Sequence, residues 1–166
     1  MRTSYIILGG GFPFLENQFS NALCVEVLEH VVDTDFFVNE IYRCLKPNGK
    51  LIMTVPWSAR RHHLPYDYFR FTPEALEHIL KNKGFIDINI IARGNDFAVV
   101  FNKILCLLQG LFFPLQKITL FFKIPLGLIL LPSAFVFFLI AHISLIFNLG
   151  SQIDPLGYAL TAKKPS

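Results

Sequence analysis

The chain has 166 residues, enough for one domain of ordinary size, and 53% of them are hydrophobic. Its net charge of +3 is small and no arginine-rich run is present, which excludes a strongly basic nucleic-acid-binding protein. A mean hydropathy of +0.49 is high for a soluble domain and predicts a segment that contacts a membrane.

The composition changes along the chain and predicts three segments. Eleven of the twelve acidic residues lie before residue 97, and ten of the eighteen phenylalanines lie between residues 97 and 147. The three cysteines are widely spaced in apolar surroundings, which favours a reducing cytosol over a disulfide framework. The predicted segments are an α/β domain over residues 1–96, an apolar, membrane-associated helical insert over 97–150, and the last strand of the sheet with a C-terminal tail over 151–166.

The first predicted strand, Asn21–Val27, is a mostly apolar run with β-branched residues. A helix over Asp35–Leu45 follows, with Asp33 or Thr34 as its N-cap, and the turn signal Pro-Asn-Gly ends it. Lys50–Val55 is then a second buried strand. Strand, helix and strand joined by short connections predict a parallel βαβ unit.

Another helix and two more strands are predicted further along. Thr72 is the expected N-cap, Pro73 occupies the first helical position, and the helix stops before Gly84. Strands follow over Phe85–Ala92 and, after the insert, over Gly157–Ala162. The predicted sheet therefore has four strands, the last of which lies after the insert.

Polar residues follow the first two predicted strands. Glu26, Glu29 and His30 come at the end of the first strand, and residues 56–63 follow the second. In open α/β sheets, ligands bind outside the carboxyl ends of the strands. These residues are therefore predicted to face a ligand crevice.

Three stretches, in this order and spacing, resemble the class I S-adenosylmethionine-dependent methyltransferases of the type 11 group. They read FPFLENQFSNALCVEVLEHV, FVNEIYRCLKPNGKLIMTVP and YDYFRFTPEALEHILKNKGF, and with the terminal GYALTAKKP they cover most of residues 12–92 and 157–165. The resemblance implies an α/β fold with a partial Rossmann-like sheet, ordered 4-5-7-6 by family position, and an apolar helical insert before the last strand. It also implies S-adenosyl-L-methionine as the cofactor.

In the family, a glycine-rich loop after the first strand and an acidic residue after the second hold the cofactor. Both would belong before Met1, and Gly9, Gly10 and Gly11 directly precede the FPF element instead of opening a helix. We therefore expect the C-terminal portion of a methyltransferase, as a fragment, a wrongly started reading frame or a degenerate homologue. Such a chain should bind the cofactor weakly or not at all and be inactive by itself.

The resemblance and the predicted crevice give candidate site residues. Methyl transfer depends mainly on alignment of the nucleophile with the methyl group, sometimes with a base for the acceptor proton. His30 and His63, together with His62, are candidate catalytic bases, or alternatively surface or capping histidines. Glu26 and Pro56 are candidate cofactor-binding residues.

Tyr66, Asp67 and Arg70 are candidate substrate-binding residues that would form a polar wall over an acceptor. Their alternative role is to pin a loop to the sheet. No metal is predicted, although Glu26, Glu29 and His30 have a spacing that can converge on a divalent ion. Some ubiquinone-pathway O-methyltransferases resemble the chain here and use a Glu-x-x-Glu-His element for a metal. The alternative is that Glu29 and His30 make local hydrogen bonds.

The insert contains two apolar stretches, Ile104–Phe122 and Ile124–Phe147. The second lacks Asp, Glu, Lys and Arg over 24 residues and is long enough to span a bilayer. Because the strands on either side of the insert resemble neighbours in one sheet, the insert must return to the side it left. We expect helices that lie in or dip into one leaflet, with a two-span hairpin or a buried lid as alternatives.

Two functions are compatible with these patterns. One is a methyltransferase that acts at a membrane surface, from the cytoplasmic side, on a hydrophobic or lipid-linked acceptor. The other is a non-catalytic, membrane-associated remnant of such an enzyme. In either case the strand Asn21–Val27 lacks its usual family neighbour, so it should pair with Ser4–Leu8 or cause self-association through the uncovered edge.

Overall fold

The computed structural model describes residues 11–112 and 117–166 of the chain. The predicted segment Ser4–Leu8 lies outside the described residues. The chain divides into two compact units: one contains the described residues up to Ile91 together with Gly157–Ser166, and the other contains Ala92–Leu156. The elements in chain order are β1 (Phe19–Val25), α1 (Thr34–Cys44), β2 (Leu45–Pro56), α2 (Pro73–Asn82), β3 (Ile86–Arg93), α3 (Asp96–Phe112), α4 (Lys117–Ile146) and β4 (Gly157–Lys163).

The described strands form one four-stranded sheet in the order β1-β2-β4-β3. β1 and β2 are parallel, whereas β4 is antiparallel to β2. By family position this order is 4-5-7-6, so the predicted sheet is confirmed. The last strand of the chain therefore lies inside the sheet, and β1 lies at one edge of it.

The two predicted helix caps are present. The carboxylate of Asp33 accepts a hydrogen bond of 2.9 Å from the backbone N–H of Phe36 at the start of α1. The hydroxyl of Thr72 accepts one of 3.2 Å from the N–H of Ala75, with Pro73 at the first position of α2. Each cap satisfies a backbone donor that the first helical turn leaves unpaired.

Two strand boundaries differ from the prediction. β1 ends at Val25 rather than Val27, because Glu26 adopts a φ of 51° and a short 3₁₀ turn, Leu28–His30, begins soon after. β2 begins at Leu45 rather than Lys50. The turn signal thus lies inside the strand rather than before it.

The turn signal forms an irregularity in the pairing of β1 with β2. Phe19 pairs with Leu45 and Asn21 with Lys50, so the residues between Leu45 and Lys50 loop out of the ladder. A Cβ on Gly49 would lie only 2.7 Å from the carbonyl oxygen of Lys46, so glycine is required at this close approach. The Pro-Asn-Gly sequence therefore forms a bulge within β2, and the strand continues on both sides of it.

The sheet buries one face. Side chains that alternate along β2 are fully buried, and their partners on β4 are nearly so. These buried pairs are Leu51 with Ala162, Met53 with Leu160, and Val55 with Tyr158. The opposite face is more open, since Leu23 on β1 is 73% exposed and its partner Ile52 is 42% exposed.

The second unit is mostly helical. Asn95 caps α3, since its Oδ1 accepts a hydrogen bond of 3.0 Å from the N–H of Ala98. Its Nδ2 donates to the hydroxyl of Ser144 on α4 and to the carbonyl oxygen of Leu149. Within the described residues, one segment, Gly127–Ile146, is long and apolar enough to cross a membrane by length and composition, with a mean hydropathy of 2.4.

Candidate functional site

The candidate site lies where β1 and β2 end. Because these strands are parallel, their carboxyl ends meet at the same edge of the sheet. β1 is followed by the 3₁₀ turn that carries Glu29 and His30, and β2 is followed by a long loop that carries His62. The fold thereby brings together side chains that are more than thirty residues apart in sequence.

Three side chains that could ligate a metal ion converge at this edge. They are Glu29, His30 and His62, and one potential ligand atom from each lies within 4.8 Å of the other two. The Nε2 atoms of His30 and His62 are 3.1 Å apart. Oε1 of Glu29 lies 3.6 Å from Nε2 of His30 and 3.9 Å from Nε2 of His62. We refer to Glu29, His30 and His62 as the polar cluster.

Backbone hydrogen bonds hold the loop after β2 against the turn after β1. The carbonyl oxygen of Glu29 accepts hydrogen bonds from the N–H groups of Tyr68 at 2.9 Å and Phe69 at 3.2 Å. Nδ1 of His30 lies 2.6 Å from the carbonyl oxygen of Tyr66. These hydrogen bonds join the loop to the turn and thereby fix the positions of His30 and His62.

Asp67 and Arg70 form a two-point ion pair within this loop. Nη1 and Nη2 of Arg70 donate to Oδ1 and Oδ2 of Asp67 at 2.6 and 2.9 Å. The Arg70 guanidinium holds the pKa of the Asp67 carboxyl well below its usual range. Oδ2 of Asp67 also accepts a hydrogen bond of 2.9 Å from the backbone N–H of His62. These contacts fit the alternative in which the pair pins the loop, whereas Tyr66 is 62% exposed and can face a ligand.

Glu29 is the most buried charged residue at the site, with 0% of its surface exposed. Within the described residues, neither of its carboxylate oxygens accepts a hydrogen bond. Burial raises the pKa of Glu29 above its usual value, and the imidazoles of His30 and His62 oppose that rise. A buried carboxylate against two imidazoles can exchange protons or bind a cation.

The other predicted site residues lie around the polar cluster. Glu26 donates its backbone N–H to the carbonyl oxygen of Thr54 at 3.0 Å, directly after β1. Pro56 ends β2 opposite Gly157. The His63 ring centroid lies 5.4 Å from that of His30. Glu26 does not belong to the set of three converging donors, in which His62 stands where the sequence pattern offered Glu26.

An apolar pocket of about 220 Å³ lies elsewhere in the same unit, against β1 and α1. Aromatic side chains of Phe12, Phe14 and Phe19 line it together with Cys24. Burial raises the pKa of Cys24 to about 12, so its thiol stays protonated and unreactive at neutral pH. The chemistry of this unit is therefore concentrated at the polar cluster rather than in this pocket.

Comparison with known proteins gives a match in sequence and a match in fold. Residues 9–53 match the type 11 family model described as "Methyltransferase domain". The matched segment includes β1, α1 and most of β2, and thus one side of the candidate site. No curated protein sequence matches the chain significantly.

Solved structures cover nearly the whole chain. Phosphoethanolamine N-methyltransferase 2 from Haemonchus contortus, solved with S-adenosyl-L-methionine, superposes with a TM-score of 0.51 over 92% of this chain at 20% identity. A methyltransferase dependent on S-adenosylmethionine from Archaeoglobus fulgidus superposes with a TM-score of 0.50 over 91% of this chain at 15% identity. The sheet of this chain therefore has a fold similar to that of class I S-adenosylmethionine-dependent methyltransferases. The resemblance predicted from the sequence is thereby confirmed.

The methyltransferase fold alone does not determine the reaction. The [4+2]-cyclase SpnF also superposes, with a TM-score of 0.52 over 93% of this chain at 18% identity. The chain spans only 35%, 62% and 54% of the Haemonchus, Archaeoglobus and SpnF chains, respectively. The activity must therefore be argued from the site of this chain.

Proposed function

We propose that this chain forms part of an S-adenosylmethionine-dependent methyltransferase that acts near a membrane on a hydrophobic or lipid-linked acceptor. The observation that carries the proposal is the position of the polar cluster. Glu29, His30 and His62 meet at the carboxyl ends of two parallel strands, where sheets of this type bind their ligands. The family match over residues 9–53 supports the same reading.

The described residues fit one wall of a cofactor site. Within residues 11–112 and 117–166, no strand leads through a glycine-rich loop into a helix, and β1 leads instead into Glu26 and a 3₁₀ turn. Glu26 and the end of β2 at Pro56 would line the cofactor on this side. S-adenosylmethionine supplies an electrophilic methyl group when bound. Besides this wall of the cofactor site, the chain contributes side chains that would face the acceptor.

The polar cluster and its surroundings supply groups that can hold an acceptor and handle its proton. The side chain of His30 is 18% exposed and that of His62 is 36% exposed, so a ligand in the crevice can reach both imidazoles. Tyr66 is exposed beside them. Asp67 orients His62 through its backbone N–H, which keeps the cluster in place for proton transfer.

The second unit supports a membrane location. Gly127–Ile146 has the length of a membrane span, and only 17% of it is buried within the protein. Ile129, Leu131 and Phe135 are each at least 60% exposed. Exposing such an apolar surface to water is unfavourable, whereas contact with lipid is not. An enzyme held at a membrane surface would meet hydrophobic or lipid-linked acceptors there.

The test is an NMR titration of the ¹⁵N-labelled chain in detergent with S-adenosylhomocysteine. We expect weak, saturable shifts at the amides of residues 24–27 and 55–57, since the described residues supply one wall of the site. Adenosine triphosphate, which shares the adenine but lacks the amino-acid part, should not reproduce them. Absence of shifts at the highest soluble concentration would contradict the cofactor assignment and favour a non-catalytic remnant. Tight, micromolar binding would contradict the one-wall fit.

A further inference from the structure

We propose that Glu29, His30 and His62 bind a divalent transition-metal ion, with Zn²⁺ as the reference ion, through one carboxylate oxygen and two imidazole nitrogens. The site itself rests on the geometry of this chain and does not depend on the proposed methyltransferase function. Only the role of the ion toward an acceptor depends on that function.

The spacing of the three ligand atoms suits a small ion. Ligands about 2.0–2.1 Å from a tetrahedral Zn²⁺ ion lie about 3.3–3.4 Å from one another. The three distances here are 3.1 Å between the two Nε2 atoms, and 3.6 and 3.9 Å from these to Oε1 of Glu29. To reach that spacing, each of the three distances must change by about 0.2–0.6 Å.

The hydrogen bonds of the two histidines determine which nitrogen is free to bind. Nδ1 of His30 lies 2.6 Å from the carbonyl oxygen of Tyr66, and Nδ1 of His62 lies 3.2 Å from that of Arg60. A carbonyl oxygen only accepts hydrogen bonds, so each Nδ1 carries the proton in the neutral ring. Each Nε2 then presents a lone pair, and the two lone pairs face each other.

Two facing lone pairs repel unless something positive lies between them. The buried carboxylate of Glu29 poses the same requirement, because neither of its oxygens accepts a hydrogen bond within the described residues. One divalent cation at the centre of the triangle satisfies all three groups at once. A single shared proton is the competing explanation, and the experiment separates the two.

The surroundings have the features of a metal site. Metal-bound histidines usually donate their second ring N–H to a carbonyl or carboxylate oxygen, which fixes the ring. Both histidines do so here, and Oδ2 of Asp67 lies 3.6 Å from Nδ1 of His62. Two histidines and one carboxylate leave a further coordination position for water. On the proposed function, that position would be open to an oxygen of the acceptor, and the His63 ring centroid lies 5.4 Å from that of His30.

The test measures metal binding directly, without cofactor or methyl transfer. The detergent-solubilised chain is stripped with a chelator and titrated with Zn²⁺ by calorimetry and with Co²⁺ by visible absorption. We expect one ion per chain and a Co²⁺ spectrum of low coordination number. His62→Ala and Glu29→Gln should each weaken Zn²⁺ binding by about 100-fold or more, since even outer-shell changes cost 10–100-fold.

His78→Ala is the matched control, because His78 is an exposed histidine on α2 that lies outside the converging set. It should leave Zn²⁺ affinity unchanged, and circular dichroism checks that each variant folds. Equal losses in His62→Ala and His78→Ala, or no stoichiometric binding of either ion, would overturn the proposal. An NMR signature of a shared proton in the stripped chain, unaltered by added Zn²⁺, would also overturn it. None of these outcomes depends on the result of the S-adenosylhomocysteine titration.

Discussion

The ammonium group of Lys164 donates a hydrogen bond of 2.8 Å to the carbonyl oxygen of Leu45, the C-cap residue directly after α1. It donates a second, of 2.9 Å, to the carbonyl oxygen of Tyr42 in the last turn. A positive charge at a helix C-terminus also interacts favourably with the helix dipole. Lys164, which directly follows β4, thus caps the C-terminus of α1, and its partner Leu45 lies 119 residues earlier in the chain.

Removing this ammonium group should destabilise the first unit. Lys164→Met retains the aliphatic stem but leaves buried carbonyl oxygens unpaired, so we expect a loss of about 1–3 kcal/mol in the free energy of unfolding. Urea unfolding followed by the fluorescence of Trp57, the single tryptophan, measures it. The neighbouring Lys163→Met is the matched control. Equal effects of the two substitutions would contradict the capping role.

The pH dependence of stability should reveal the pair formed by Glu40 and Arg43. Nε and Nη2 of Arg43 donate to Oε1 and Oε2 of Glu40, both at 2.8 Å. The Arg43 guanidinium holds the pKa of the Glu40 carboxyl below its usual value. Because the folded-state pKa is lowered, this pair contributes its full stability above the unfolded-state pKa of about 4.3, and the contribution is lost progressively as the pH falls from there through the folded-state pKa.

Glu40→Gln should therefore lower the midpoint of thermal unfolding at pH 7 and have a smaller effect at pH 3. At pH 7 we expect Glu40→Gln to lower the free energy of unfolding by about 1 kcal/mol. This is small for a hydrogen bond between charged groups, because Arg43 is partly exposed to solvent. Glu77→Gln, which breaks an exposed pair with Lys81, serves as the control. An effect of Glu40→Gln that is the same at both pH values would refute the assignment.

The parts of the fold that depend on contacts between residues close in sequence could be predicted from the sequence. Asp33 and Thr72 bond to backbone groups three residues away, so the helix starts could be predicted. The start of β2 could not be predicted, because pairing with β1 extends the strand past the Pro-Asn-Gly bulge. The N–H of Asn48 also bonds to the carbonyl oxygen of Lys164, far along the chain.

The site was predicted in part for the same reason. Glu29 and His30 are adjacent in sequence and on one turn, so their shared position at the end of β1 could be inferred. The approach of His62 depends on the path of the loop after β2. That path is fixed by hydrogen bonds from Tyr68 and Phe69 to the carbonyl oxygen of Glu29, which no sequence spacing indicates. His62 was therefore a candidate base but not a candidate ligand.

The uncovered edge of β1, with exposed apolar side chains beside it, should make the chain associate with itself. In the described sheet β1 is an edge strand, and Leu23 and Val25 are 73% and 50% exposed. Leu23→Lys should shift the chain toward monomer in sedimentation velocity experiments in detergent. Val32→Lys, which replaces a side chain 65% exposed outside the sheet, is the control. A wild-type chain that stays monomeric at every concentration would rule out this association.

The second unit should hold the chain in the membrane fraction. Deletion of residues 102–148 should release it into the soluble fraction. Val136→Lys places a charge near the middle of Gly127–Ile146, where it costs about 2.5–3.5 kcal/mol on insertion scales, and should reduce carbonate-resistant binding. Ile153→Lys, at a residue 90% exposed outside that segment, should not. Recovery of the intact wild-type chain in soluble form without detergent would contradict the membrane location.

The place of β4 has a consequence for how the protein is made. The ribosome synthesises the apolar α4 before it synthesises the strand that completes the sheet next to β2. Until then β2 has an open side, and the sheet depends on a pairing between segments about a hundred residues apart in sequence, such as Met53 with Leu160. The translation machinery therefore exposes the candidate membrane segment while the α/β part is still incomplete. On the proposed membrane location, insertion of this segment would therefore begin before the sheet is complete.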